Sequence, residues 1–123
     1  MKYIMFSYGT QADWDAIEDL PTEVAEAEYG PVDDVAQELI ASGEHVYAAG
    51  LADPSHTHVV ELREGAPVVT DGPYAEAKEF LASFGVVDVE SLDRALEIAA
   101  RVAATLSCRV EVRPLMGDGG LEM

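Results

Sequence analysis

Positive charge is scarce in this chain. Seven lysines and arginines stand against 24 aspartates and glutamates in 123 residues, a formal net charge of −17. None of the seven lies between Tyr3 and Leu62, a segment holding 13 acidic residues. Such a surface repels phosphates and acidic lipid head groups, which argues against nucleic acid and anionic membranes as partners. Net charge acts on solubility first, so the acidity alone names no cationic partner. Cysteine is scarcer still: Cys108 stands alone, which excludes an internal disulfide and a cysteine-built zinc site. Apolar runs stay well short of the roughly 20 residues a membrane helix needs. The chain starts directly on a strand pattern, Lys2 to Tyr8, with no leader-like segment, and the cytoplasm is the expected compartment. Neither a Gly-rich phosphate loop, a Gly-x-Ser-x-Gly elbow nor a dinucleotide fingerprint occurs, and no cofactor is expected.

Apolar residues make up 49% of the chain, enough for one core without staples. Residues 1–115 read as one domain and 116–123 as a flexible C-terminal tail. Tyr3 to Tyr8 reads as a first strand, ended by Gly9. Residues 13–42 are helical in character, with Trp14, Ile17 and Leu20 on one stripe and Val32, Val35, Ala36, Leu39 and Ile40 on another. Gly30-Pro31 should break the helix, Pro31 opening a second piece that Gly43 closes. Strands follow at His45–Leu51 and His58–Arg63. Glu64-Gly65 then makes a hairpin turn into Pro67–Thr70. Leu81–Val89 is a further strand. Ser91 should cap a helix whose stripe is Leu92, Ala95, Leu96, Ala99, Val102, Ala103 and Leu106, and Arg109–Arg113 is the last strand. The order β-α-β-β-(β)-β-α-β predicts an α+β protein, a ferredoxin-like βαββαβ sandwich with an added hairpin.

Two strands are apolar on both faces. Tyr3, Met5 and Ser7 alternate with Ile4, Phe6 and Tyr8, and Phe84 and Val86 alternate with Val87 and Val89. Two helical regions in this topology cover one face only. A second copy is the economical cover for the other, which predicts a homodimer.

The densest polar group attached to a rigid turn is Asp71, Tyr74, Glu76, Lys78 and Glu79. Asp71-Gly72-Pro73 makes a fixed corner after a strand-like run. Here Asp71 can serve as base or ligand anchor, Tyr74 as a hydrogen-bonding cleft wall, and Lys78 as the neutraliser of a substrate carboxylate. The plainer expectation for Asp71 is a turn cap, worth about 1 kcal/mol. His56 and His58 share a strand face near Asp53, a weak ion-binding pattern without a certain fourth ligand, so the protein is expected to be metal-free. His45, Tyr29 and Trp14 read as structural, and Cys108 as a small buried hydrophobe.

The stretch Val68-Val69-Thr70-Asp71-Gly72-Pro73-Tyr74 resembles the Asp-Gly-Pro-Phe signature of the YCII-related (DGPF-domain) family, with Tyr74 where Phe is usual. The resemblance is strong over residues 68–79 and weaker over residues 2–115. It implies the same ferredoxin-like fold and a face-to-face dimer, the dimeric α+β barrel. It also implies that relatives can be enzymes built on a His–Asp pair whose histidine lies in the first helical region. Here no histidine occurs between Met1 and Glu44, and Asp33 and Asp34 stand at the approximate place, so that dyad does not transfer. Two function classes follow. One is acid–base or lyase-type chemistry on, or binding of, a small organic molecule in a cleft near the Asp-Gly-Pro-Tyr corner. The other, implied by the resemblance, is a non-catalytic accessory protein linked to extracytoplasmic-function sigma factors through protein contacts.

Overall fold

In the computed structural model the described residues are 1–18, 34–73, 77–117 and 120–121. The elements are β1 (Lys2–Gly9), α1 (Gln11–Glu18), α2 (described over 34–42), β2 (His45–Gly50), β3 (His58–Arg63), β4 (Ala66–Asp71), β5 (Phe80–Asp88), α3 (Leu92–Leu106), β6 (Val110–Pro114), β7 (Met116–Gly117) and β8 (Gly120–Leu121). A 3-10 turn, Pro54–His56, precedes β3. The four-stranded sheet runs β2-β5-β1-β6, and the three pairings between its neighbours are all antiparallel. Helical connections join β1 to β2 and β5 to β6, so the α+β architecture is compatible with a ferredoxin-like fold. The expected break at Gly30-Pro31, together with Leu20, Tyr29, Val32 and Asp33, lies outside the described residues.

Alternation decides which side of the sheet is core. Tyr3, Met5 and Ser7 of β1 are buried with Val87 of β5, Val35 and Leu39 of α2, and Ala95, Ile98 and Ala99 of α3. Ile4, Phe6 and Tyr8, on the other face, are half-buried. The α3 stripe is set differently from expectation. Ile98 is 1% exposed, whereas Leu92 and Leu96 are 43% and 47% exposed. The i, i+3, i+4, i+7 face starts at Ala95 and runs through Ile98, Ala99 and Val102, and Leu96 falls off it by one step of the helical wheel.

Ser91 caps α3 by accepting from the Arg94 amide at 3.1 Å, and Ser107 ends it in the left-handed region at φ 52°. Arg94 then ties α3 to the entrance of β2. Its Nε and Nη2 each donate to Glu44 at 2.9 Å, a fork matched to a carboxylate. The Arg94 bonds, with a further one from the Ser42 hydroxyl, hold the Glu44 carboxyl down at about 2. Glu64 and Gly65 both take positive φ, 51° and 79°, and close the β3–β4 hairpin as a two-residue turn. The stretch expected to be a loose tail contains a minimal ladder, Met116–Gly117 against Gly120–Leu121. Among the described residues no helix is long and apolar enough to cross a membrane.

Candidate functional site

Residues equidistant from a two-residue turn face each other across an antiparallel hairpin. His58 and Asp71 are such a pair. Their side chains meet: His58 Nδ1 lies 3.1 Å from Asp71 Oδ1, with the two side chains 65% and 91% exposed. A carboxylate at Nδ1 favours the tautomer that carries its proton there, leaving Nε2 as the free base. The amides that an Asp71 turn cap would meet, from residue 74 onward, lie outside the described residues, and the described contact of Asp71 is the one to His58. The corner is held by the backbone, with the Gly72 amide donating to the Thr57 carbonyl at 2.7 Å and Gly72 at φ 86°. Asp71 acts across the strands, on His58.

Thr57 also lines a cleft of about 400 Å³, with Leu51, Asp53, Pro54, His56 and Phe80 among its walls. The first helix organises its rim. Trp14 Nε1 donates to the Leu51 carbonyl at 3.3 Å, and the Trp14 ring meets Phe80 edge-on at 6.4 Å. Gln11 Nε2 reaches both Asp53 oxygens at 3.1 and 3.0 Å. Asp53 caps the 3-10 turn, its Oδ1 accepting from the Ser55 amide at 2.9 Å. That amide and the Gln11 side chain hold the Asp53 carboxyl below its ordinary range.

The other sequence candidates divide as follows. Tyr74, with Glu76, lies outside the described residues. Lys78 is exposed after the corner, and its neighbour Glu79 is taken by Arg109 at 2.6 Å. Asp53 and His56 share the wall of the cleft, but Asp53 serves its own turn and His58 turns to Asp71, so the three are not brought together. Among the described residues no three His, Cys, Asp or Glu side chains cluster as a metal site. Cys108 is half-buried, and burial pushes its thiol up, away from a reactive thiolate. The residue that sequence reasoning missed as a partner for Asp71 is His58. The Glu64-Gly65 turn was the signal, since it sets the register.

Comparison with known proteins agrees with the corner motif. The family model described as YCII-related domain matches residues 1–117. An uncharacterized protein of Rhizobium meliloti (strain 1021) is 34% identical over 83 residues, spanning 66% of this chain and 67% of its own length.

Proposed function

This chain belongs to the YCII-related domain family, and from that premise we propose that it performs acid–base chemistry on a small organic molecule at the Asp-Gly-Pro corner. The observation that carries the reading is the His58 Nδ1–Asp71 Oδ1 contact. Asp71 orients the imidazole and stabilises its charged form, and His58 Nε2 takes and returns the proton. The family-type histidine of the first helical region is absent, and His58 supplies the same functional group from a hairpin strand. The neighbouring cleft accepts the apolar part of the substrate, while Lys78 and Tyr74 would contribute a cation and a hydrogen-bonding wall.

The same reading makes the working unit a homodimer joined face to face across the sheet, as in a dimeric α+β barrel. Support comes from the sheet face opposite the one packed on α3, where Ile4, Phe6, Phe84 and Val86 are only half-buried and Tyr47 stands against Phe84 at 5.9 Å. Burying a large apolar side chain is worth about 1.5–3 kcal/mol, so pairing this face is favourable. Light scattering should give twice the 13.2 kDa chain mass across a dilution series. A monomer throughout counts against it.

The chemistry is tested by solvent-deuterium exchange into a panel of small keto acids and lactones, followed by NMR. Exchange above background that disappears in both His58→Ala and Asp71→Ala supports the dyad. Exchange that survives either substitution overturns it.

A further inference from the structure

We propose that the protein holds a second binding site, for a neutral, largely apolar carbonyl compound, in the cavity between the helices and the sheet. It lies apart from the Asp-Gly-Pro cleft: the described residues lining the two have no member in common. The cavity measures about 470 Å³, within the roughly 300–1,000 Å³ of small-molecule pockets. Leu39 of α2 and Val102 of α3 roof it, and Ser7, Ala48, Ser83 and Gly85 floor it.

The floor is empty because of residue size. In register, Ser7 faces Ser83 across β1 and β5, and Ala48 faces Gly85 across β2 and β5, so four small residues are neighbours. Further along the same face Tyr3 and Val87 fill the space. Nothing forbids a side chain at position 85, where a Cβ would stand 3.7 Å from Ala48 Cβ in ordinary contact. Ala48 is itself exposed on the edge strand β2, which gives the cavity a mouth.

The floor also carries an unspent donor. Ser7 and Ser83 hydrogen-bond to each other through their hydroxyls, and neither hydroxyl has another side-chain or backbone partner among the described residues. Two hydroxyls bring two O–H groups, and one bond uses one of them. Ser7 is 5% exposed and Ser83 half-buried, so the second O–H, on whichever serine it sits, lies at the cavity floor. A ligand that displaces water from the floor leaves this donor unmet unless it brings an acceptor, and a ligand oxygen placed there avoids that cost. His45 adds a polar group on β2, and among the described residues no lysine or arginine lines the cavity. With a net charge of −17 around it, the matching acceptor is a neutral oxygen of a ketone, lactone or quinone, not a carboxylate.

The test is calorimetric titration of the full chain with two probes of similar shape, 2-acetonaphthone and 2-ethylnaphthalene. The ketone should bind about tenfold more tightly, the worth of one buried hydrogen bond. The double variant Ser7→Ala, Ser83→Ala, which changes little volume, should keep hydrocarbon binding and lose the preference. Gly85→Leu, checked for folding by circular dichroism, should lose both. Equal affinities in the native protein, a preference that survives the double variant, or no binding of either probe would overturn the proposal.

Discussion

The four-stranded sheet and the β3–β4 hairpin are assembled on opposite terms. In the sheet and α3, Tyr3, Met5, Val87, Val89, Ala95 and Ile98 are buried in one contiguous core. In the hairpin every residue except Val59 is exposed, Leu62 to 75%. An isolated two-stranded hairpin is marginal in water. This one is anchored at its root, by the Gly72–Thr57 backbone bond and the capped 3-10 turn. The candidate dyad sits at that root. Substitutions in the sheet should therefore act on stability, and substitutions at His58 and Asp71 on chemistry.

The sharpest way to break this comparison is Ile98→Ala. Ile98 is almost wholly buried between α3 and the sheet, and Ile→Ala changes in cores cost about 2–5 kcal/mol. Denaturant unfolding should show that loss, while Val60→Ala in the hairpin should stay within about 0.5 kcal/mol of native. Comparable losses at both positions would mean that the hairpin is as well covered as the core.

Glu44 gives the next effect, and it depends on pH. Its carboxyl titrates at about 2 against an ordinary 4.5, because Arg94 and Ser42 hydrogen-bond to its charged form. The folded value lies below the unfolded one, so the contribution is complete above pH 4.5 and is lost as pH falls toward 2. Thermal unfolding of Glu44→Gln should give a lower Tm than native at neutral pH, and the gap should close across that acid window. A gap that stays constant would show that the Arg94 fork does not depend on the Glu44 charge.

Tyr3→Phe is smaller and of opposite sign. Tyr3 is buried and its hydroxyl has no hydrogen-bond partner among the described residues. Removing an unsatisfied buried hydroxyl while keeping the ring should leave stability unchanged or raise it by up to about 1 kcal/mol. A clear loss would reveal a buried water as partner.

Much of this was legible in the sequence wherever the deciding interaction was local. Strand alternation, the Ser91 cap and the Glu64-Gly65 turn each depend on a few adjacent residues, and each appears as expected. The α3 stripe was misplaced because Leu92 and Leu96 are as apolar as Ile98, and only the packing of α3 on the sheet ranks them. The Arg94–Glu44 fork joins residues fifty apart, and no local pattern announces it. The cavity is an absence of volume between layers, which depends on what Ser7, Ser83 and Gly85 face.

Asp71 should show the smallest effect on stability, and it separates the two readings of its corner. As a cap of its own turn it would contribute about 1 kcal/mol. Among the described residues its carboxylate meets His58, in an exposed pair of the kind that contributes little, and Gly72 holds the corner through its own amide. Asp71→Ala should therefore unfold within about 0.5 kcal/mol of native. The same substitution should change the His58 ring, since the acceptor that favours a proton on Nδ1 is gone. Ring ¹⁵N shifts should move toward the Nε2–H tautomer. A loss near 1 kcal/mol with unchanged ring shifts would return Asp71 to its turn and dissolve the dyad.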